Sequence, residues 1–415
     1  MNAINNKNLL ILSFTLLVVM LGYSIAMPLL PFYIEKFGVG GTELGWLMST
    51  YSLMQLLCAP VWGILSDRVG RKPILSIGVL GYAITLFMFG LANSFTMMFI
   101  ARSLSGILSS ATMPTAMAYI GENSPQKERS KGMGQLGAAV GIGVIIGPLV
   151  GGVLAVDSLS LPFFVGSGLA FLALLLVAFF LPESRSALQP GGEKPQPEGQ
   201  VPVPASPSGA QEASHSPPRT LDIYLRVLLG PAGILLLLIF IMSFGMTNFQ
   251  GMIGLYVVDK FASDTKQVAS IWVLMGAILI VVQGVLVGPL TKRLGELQLI
   301  KLGLLGGAIG FAAVAIAIDH LTVMLALGFF ILALALIGPS LNSHISSFAG
   351  KQQGTVMGLN SAFTSLGRVI GPLWGGYIYD MNIAYPFFSG AVTLGLGLLV
   401  SLIALPRRTP AAGDL

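Results

Sequence analysis

Apolar runs of about 20 residues, the length a helix needs to cross a bilayer, recur along almost the whole chain and are parted by short polar stretches. They predict twelve spans: 9–34, 44–66, 73–92, 96–120, 132–155 and 161–182, then 225–257, 267–290, 298–318, 321–344, 355–379 and 385–405. The residue-by-residue alternation of a membrane barrel is absent, so the spans are helices. Between the second and third runs lies a charged stretch, Gly63-Ile64-Leu65-Ser66-Asp67-Arg68-Val69-Gly70-Arg71-Lys72. So short a link cannot join two spans that cross in the same direction, and it fixes an antiparallel pair. The phrase returns, altered, as Gly288-Pro289-Leu290-Thr291-Lys292-Arg293-Leu294-Gly295, 225 residues later.

Further correspondences share nearly that offset. Gly147-Pro148-Leu149-Val150-Gly151-Gly152 returns as Gly371-Pro372-Leu373-Trp374-Gly375-Gly376, 224 residues on. Pro162-Phe163-Phe164 returns as Pro386-Phe387-Phe388, and Glu35-Lys36-Phe37 as Asp259-Lys260-Phe261, at the same offset of 224. The chain is therefore predicted to hold two repeats of six spans: an N-terminal bundle over 1–182, a cytoplasmic disordered linker over 183–222 and a C-terminal bundle over 223–415. The linker is rich in Pro, Ser, Gly and charge and cannot bury a core. Repeats of six spans keep the same orientation, which places a pseudo-twofold axis along the membrane normal and a substrate site between the halves. The fold class is an all-α polytopic membrane protein of twelve transmembrane helices in two pseudo-symmetric bundles.

Composition agrees. The 415 residues are 54% hydrophobic and only 9% charged, against about 25% charged in a soluble domain. The net charge of +5 is spread by loop rather than by face. Of 22 Lys and Arg, 17 fall on one side, while Lys36, Lys260 and Lys266 fall on the other and Arg102 and Arg368 lie within spans. This asymmetry predicts both termini in the cytoplasm and argues against a nucleic-acid partner. Cys58 is the sole cysteine, so neither a disulfide frame nor a zinc cluster is expected. The first run lacks a small-residue cleavage site and reads as a retained span. No phosphate-cradling loop, metal cluster or Ser-His-Asp set appears, so neither an enzyme nor a cofactor is expected.

At these motifs the sequence resembles a known family. GILSDRVGRK resembles the loop signature of the major facilitator superfamily, and Arg102-Ser-Leu-Ser-Gly106 resembles its RxxxG signature. Gly143-Val-Ile-Ile-Gly147-Pro148-Leu-Val-Gly151-Gly152 is similar to the GxxxGPxxGG signature of the drug:proton antiporter branch. The resemblance covers all twelve spans and is nearest to bacterial multidrug and tetracycline exporters. It implies an alternating-access exporter of amphipathic or lipophilic organic compounds, with protons as counter-ion, in the bacterial cytoplasmic membrane and expected to be monomeric. Two other readings stay open: an exporter or flippase of an endogenous lipid or secondary metabolite, and a non-transporting receptor or scaffold.

Each motif also has a physical reading. Asp67 sits at the C-terminal end of its helix, where the dipole repels it, and needs a partner: Arg71, Arg68 or the positive start of span 11. The last would cross between halves and latch the inner gate, to which Gly63, Gly70 and Lys72 also belong. Gly63 would permit close helix approach and Gly70 a tight turn. Gly143, Gly147, Gly151 and Gly152 share a face of span 5, with Pro148 among them, and would let two backbones touch, either as plain packing or as half-to-half bearings. Arg102 faces either a central cavity, as the resemblance implies, or snorkels to headgroups. Arg368 either serves function or caps a carbonyl.

Proton exchange calls for a titratable group, yet none of the 17 acidic residues falls at mid-span. Gln250 stands where similar exporters often carry a glutamate. The coupling candidates left are Glu35 and Asp259 at equivalent outer ends and His344 near an inner end. The plainer alternatives are pairing with Lys36 and Lys260, and a headgroup position for His344. Candidate cavity residues are Arg102, Tyr23, Tyr51, Gln55, Tyr119, Asn248, Phe249, Gln250, Asn342, Asn360 and Phe363, a set of aromatic, amide and hydroxyl groups suited to stacking and a few hydrogen bonds.

Overall fold

The computed structural model describes residues 6–184, 227–348 and 353–405. Among these every regular element is helical. Of the linker expected at 183–222, only Glu183 and Ser184 are among the described residues; the remainder lies outside them. The first half comprises α1 (Asn6–Phe37), α2 (Gly41–Val69), α3 (Arg71–Gly90), α4 (Phe95–Ser109), α5 (Thr112–Asn123), α6 (Gln126–Leu154) and α7 (Leu161–Phe180). The second comprises α8 (Pro231–Phe261), α9 (Thr265–Val281), a π-helical turn at Val282–Leu286, α10 (Val287–Leu294), α11 (Glu296–Ile316), α12 (His320–Phe348), α13 (Gln353–Tyr379) and α14 (Tyr385–Ala404). Ten helical stretches among the described residues are long and apolar enough to cross a membrane.

Helix covers all twelve expected spans, two of them interrupted; the ten leave out span 4 and span 11, which is α13. Span 4 is α4 followed by α5, parted at Ser110 and Ala111. There the hydroxyls of Ser110 and Thr112 bond the carbonyls of Ile107 and Ser109 and compete with the helical ladder. Span 8 is α9 and α10, joined through the π-turn that contains Gly284.

Within each half the first span packs along the fifth: α1 on α6, and α8 on α13. Lipid offers no hydrophobic drive for helix pairing, so close backbone contact must supply the attraction. Small residues make that contact. A Cβ added at Gly143 would lie 2.5 Å from the Leu17 carbonyl oxygen, at Gly147 2.6 Å from that of Leu21, and at Gly151 3.1 Å from that of Ile25. The second repeat copies this, with Gly367 and Gly371 against Phe244 and Gly375 against Asn248. The half-to-half bearing expected for span 5 is thus corrected for three of its four glycines, which bear on α1 of their own half. Gly152 alone crosses, meeting Ala269 and Thr265 of α9, and its repeat Gly376 meets the Gly41 carbonyl of α2.

The second half has an aromatic centre in which Phe249 lies 4.6 Å from Phe330 and 6.0 Å from Phe311, ring to ring. The halves meet at α2 against α13 and at α6 against α9.

Candidate functional site

Both inter-half contacts are tight at one end and open at the other. At the end away from the basic loops, Gly376 abuts Gly41, and Gly45 abuts the Pro372 carbonyl. The Ser49 hydroxyl then donates to the Val369 carbonyl at 2.6 Å. The Asp380 carboxylate closes this end from the other half. It accepts from the backbone N–H of Gly41 at 2.7 Å and of Thr42 at 3.0 Å, and from the Thr42 hydroxyl at 2.5 Å. A carboxylate at the end of α13 is disfavoured by its own helix dipole, and here it rests on the positive start of α2. The α6–α9 seam behaves alike. Beyond the Gly152 contact, Gly276 meets Ile145 at 2.6 Å from an added Cβ, whereas nothing would meet one at Gly134, Gly137, Gly141, Gly284 or Gly288.

The halves therefore enclose a wedge that opens toward the basic-loop face. Immediately past the Ser49–Val369 contact lies a cavity of about 370 Å³, lined by Ser52, Gln55, Leu56, Ala59 and Pro60 of α2 and by Gly358, Ser361, Ala362, Ser365 and Arg368 of α13. Ser52 is eleven residues from the start of α2, about 16 Å along the axis, which sets the cavity's closed end deep in the membrane.

Arg102 of α4 lies behind this cavity. It is 2% exposed, which excludes snorkelling to the headgroups. Its guanidinium sits 4.6 Å from the Tyr51 ring and 5.4 Å from the Tyr23 ring. Those rings lie 5.1 Å apart, and the Tyr51 hydroxyl is 3.0 Å from Ser109 Oγ. No carboxylate pairs with Arg102 among the described residues, and its Nε has no hydrogen-bond partner. The two aromatic faces stabilise the guanidinium without neutralising its charge. Arg368 lines the cavity, and no carbonyl cap for it is found among the described residues.

The other expected cavity residues divide. Gln250 is half-buried and shares a face of α8 with Gly254, which packs on Pro31 of the opposite half. Asn360 donates to Asn342 at 2.9 Å, and Phe363 is partly buried against the core. Three are corrected. The Tyr119 hydroxyl donates to the Pro182 carbonyl at 3.0 Å, tying α5 to the end of α7. Asn248 is fully buried and donates to the Pro386 carbonyl at 2.8 Å. Phe249 belongs to the aromatic core. Each turns inward because its own bundle offers the partner.

The coupling candidates lie near the ends of their helices. Glu35 is exposed and has no ion pair among the described residues, while Lys36 sits over the Tyr33 ring at 5.6 Å. Asp259 accepts from the Tyr379 hydroxyl at 2.6 Å rather than pairing with Lys260, which bonds the Tyr256 hydroxyl at 2.6 Å. His344 is 5% exposed, with Nδ1 3.1 Å from Glu296, instead of lying in headgroups.

At the basic-loop face, Asp67 pairs with Arg71 at 2.5 Å, and Arg71 with Glu122 at 2.5 Å. Glu183 accepts from the backbone N–H of Arg71 at 2.8 Å and of Lys72 at 3.1 Å, capping α3. Gly70 has φ +112°, which glycine adopts without strain. Arg68 is exposed. This network stays within the first half, and in this wedge-open state Asp67 takes Arg71 rather than the start of span 11. Gly63 has open space around it, so the close approach expected there is not made. Glu122, Glu183 and Asp380 escaped the sequence reading. They stand at helix ends, where periodicity gives no signal.

Comparison with known proteins places this geometry. The family model of the Major Facilitator Superfamily matches residues 12–349 and again 235–415. The chain is 32% identical over 404 residues to Multidrug resistance protein 2 of Bacillus subtilis (strain 168), covering 97% of this chain and 96% of that protein. It is 28% identical over 404 residues to Quinolone resistance protein NorA of Staphylococcus aureus (strain COL), covering 97% and 98%. Among solved structures, the nucleoside transporter NupG superimposes with a TM-score of 0.75 at 15% identity, covering 97% of this chain and 100% of that one. A bacterial homolog of the human lysosomal transporter Spinster, inward-facing and unoccupied, gives 0.72 at 15% identity, covering 97% and 96%. At such identities the structural likeness concerns the fold.

Proposed function

The chain belongs to the major facilitator superfamily, and we propose that it is a secondary transporter exporting amphipathic or lipophilic organic compounds in exchange for protons. Its relatives carry the names of multidrug and quinolone resistance proteins along nearly their whole length. The observation that carries the reading is the wedge: sealed at Gly41–Gly376 and open, just beyond Ser49–Val369, into a cavity with both polar and apolar walls. The excess of Lys and Arg on the loops at the open end supports a cytoplasmic opening, the loading state of an exporter; the transporter is taken to act as a monomer. Alternating access then requires the Asp380 clasp to part while the inner ends of α2 and α13 meet.

The test is transport of a lipophilic fluorescent dye by proteoliposomes under an imposed pH gradient. Export that accelerates with the gradient is expected. Rates flat across gradients would remove the proton, and absent transport would remove the transporter. One observation favours a second substrate class. Every described acid lies near a membrane face, none beside Arg102 or the wedge, which suits an endogenous lipid or secondary metabolite over an obligate cation. A panel containing such compounds beside the dye separates the two.

A further inference from the structure

The wedge has a chemical polarity of its own. Its closed end carries the Arg368 guanidinium, and Arg102 lies one layer behind Tyr51. No ion pair neutralises either among the described residues. The described acids on or next to α1, α2, α5, α8 and α13, namely Glu35, Glu43, Asp67, Glu122, Asp259 and Asp380, sit at helix ends or in loops. Two positive charges without a counter-charge, one buried and one at the closed end of the cavity, form a region of positive potential that repels a cation and calls for an anion.

The remaining wall says what kind. Gln55, Ser52 and Ser365 can donate hydrogen bonds, and Ser361 can once its hydroxyl turns from the Met357 carbonyl, while Leu56, Ala59, Pro60 and Ala362 present apolar surface. The volume of about 370 Å³ lies in the range of small-molecule sites. Arg368 offers the planar fork that matches a carboxylate, which a lone ammonium does not.

We infer that the closed end of the wedge binds the acidic group of an amphipathic organic anion, such as an arene carboxylate, through Arg368 and the neighbouring Gln55 and serines. Arg102 contributes through its field and by holding Tyr23 and Tyr51 in place, and the apolar wall takes the ring system. This assigns a substrate class to the proposed exporter and rests on that reading for its transport role.

The experiment uses the full chain in phosphatidylcholine nanodiscs and measures equilibrium binding of radiolabelled 2-naphthoate, its methyl ester and 2-naphthylmethylammonium. The wild type should prefer the acid over both analogues. In Arg368→Gln the acid-to-ester affinity ratio should fall about tenfold or more, the loss of a charge-assisted hydrogen bond. Arg368→Lys should restore part of the ratio, because charge survives and the fork does not. Reading a ratio separates a lost anion contact from a misfolded protein, since misfolding lowers both affinities together. An unchanged ratio in Arg368→Gln, no binding of the acid, or a wild-type preference for the ammonium would each overturn the assignment. Acid-selective binding without transport would sink the export reading and leave this site standing; dye export without acid preference would do the reverse.

Discussion

Asp380→Ala isolates the clasp that seals the outer face. The carboxylate accepts from Gly41 N–H at 2.7 Å, Thr42 N–H at 3.0 Å and the Thr42 hydroxyl at 2.5 Å, all on the opposite half. When the outer end opens, water satisfies the same donors, so the substitution destabilises the outward-closed state alone. Two of the three contacts are exposed, and a helix N-cap of this kind contributes about 1–2 kcal/mol rather than the sum of three buried bonds. That free energy corresponds to a roughly 5- to 30-fold larger outward-open population. The assay is the labelling rate of Met48→Cys by an impermeant maleimide added from outside. Met48 is 8% exposed behind the clasp, and the one native cysteine, Cys58, is replaced by serine to clear the background. Asp380→Asn keeps an acceptor without the charge and should fall between. A rate within twofold of wild type in a folded Asp380→Ala protein would refute the clasp.

Two further predictions concern the basic-loop face. Arg71→Ala leaves Glu122, which Arg71 meets at 2.5 Å in a largely buried setting, with only the Ser184 hydroxyl, and should cost about 1–3 kcal/mol in thermal unfolding. Arg71→Lys should recover less than half, because an ammonium cannot span Asp67, Glu122 and Ser66 together. Gly70→Ala forces a side chain to φ +112° and sets its Cβ 2.9 Å from the Glu183 carboxylate. A loss of about 1–3 kcal/mol in the same unfolding measurement is expected, and an unchanged midpoint would contradict the turn.

Much of this architecture was legible because its determinants are periodic. Apolar length marks the spans, and the 224-residue offset marks the repeats. The offset even pairs the crossing glycines, Gly152 and Gly376, although not which of the four glycines crosses. The cavity was less legible. Asn248, Phe249 and Gln250 were expected there together, yet adjacent helical residues stand about 100° apart and three in a row cannot share one face. Gln250 alone shares the face of Gly254 that meets the other half, while Asn248 and Phe249 turn into their own bundle. Arg102 was recognised because a guanidinium within an apolar run demands explanation, but its tyrosine shell comes from α1 and α2 and is a tertiary fact. The partners of Arg71 were invisible for the same reason: Glu122 and Glu183 lie 51 and 112 positions away.

The repeat also constrains how the protein moves. The α2–α13 and α6–α9 seams are related by the axis along the membrane normal, and each is tight over its outer part and open over its inner part. If each half moves as a rigid body, spreading one seam at the outer end must spread the other, because α6 is locked to α1 through Gly143, Gly147 and Gly151, and α13 to α8 through Gly367 and Gly371. Gly152→Val tests this at a distance. Its side chain would drive into Ala269 and the Thr265 carbonyl, which belong to the α6–α9 seam. Overpacking of this sort costs about 1–3 kcal/mol, enough to raise Met48→Cys labelling about fivefold or more in the other seam. The double variant Gly152→Val with Gly376→Val should then show less than the sum of the two single effects, since one rotation relieves both clashes. Labelling that rises at a cysteine beside Ala269 but not at Met48→Cys would mean the seams yield separately, and the halves would not be rigid.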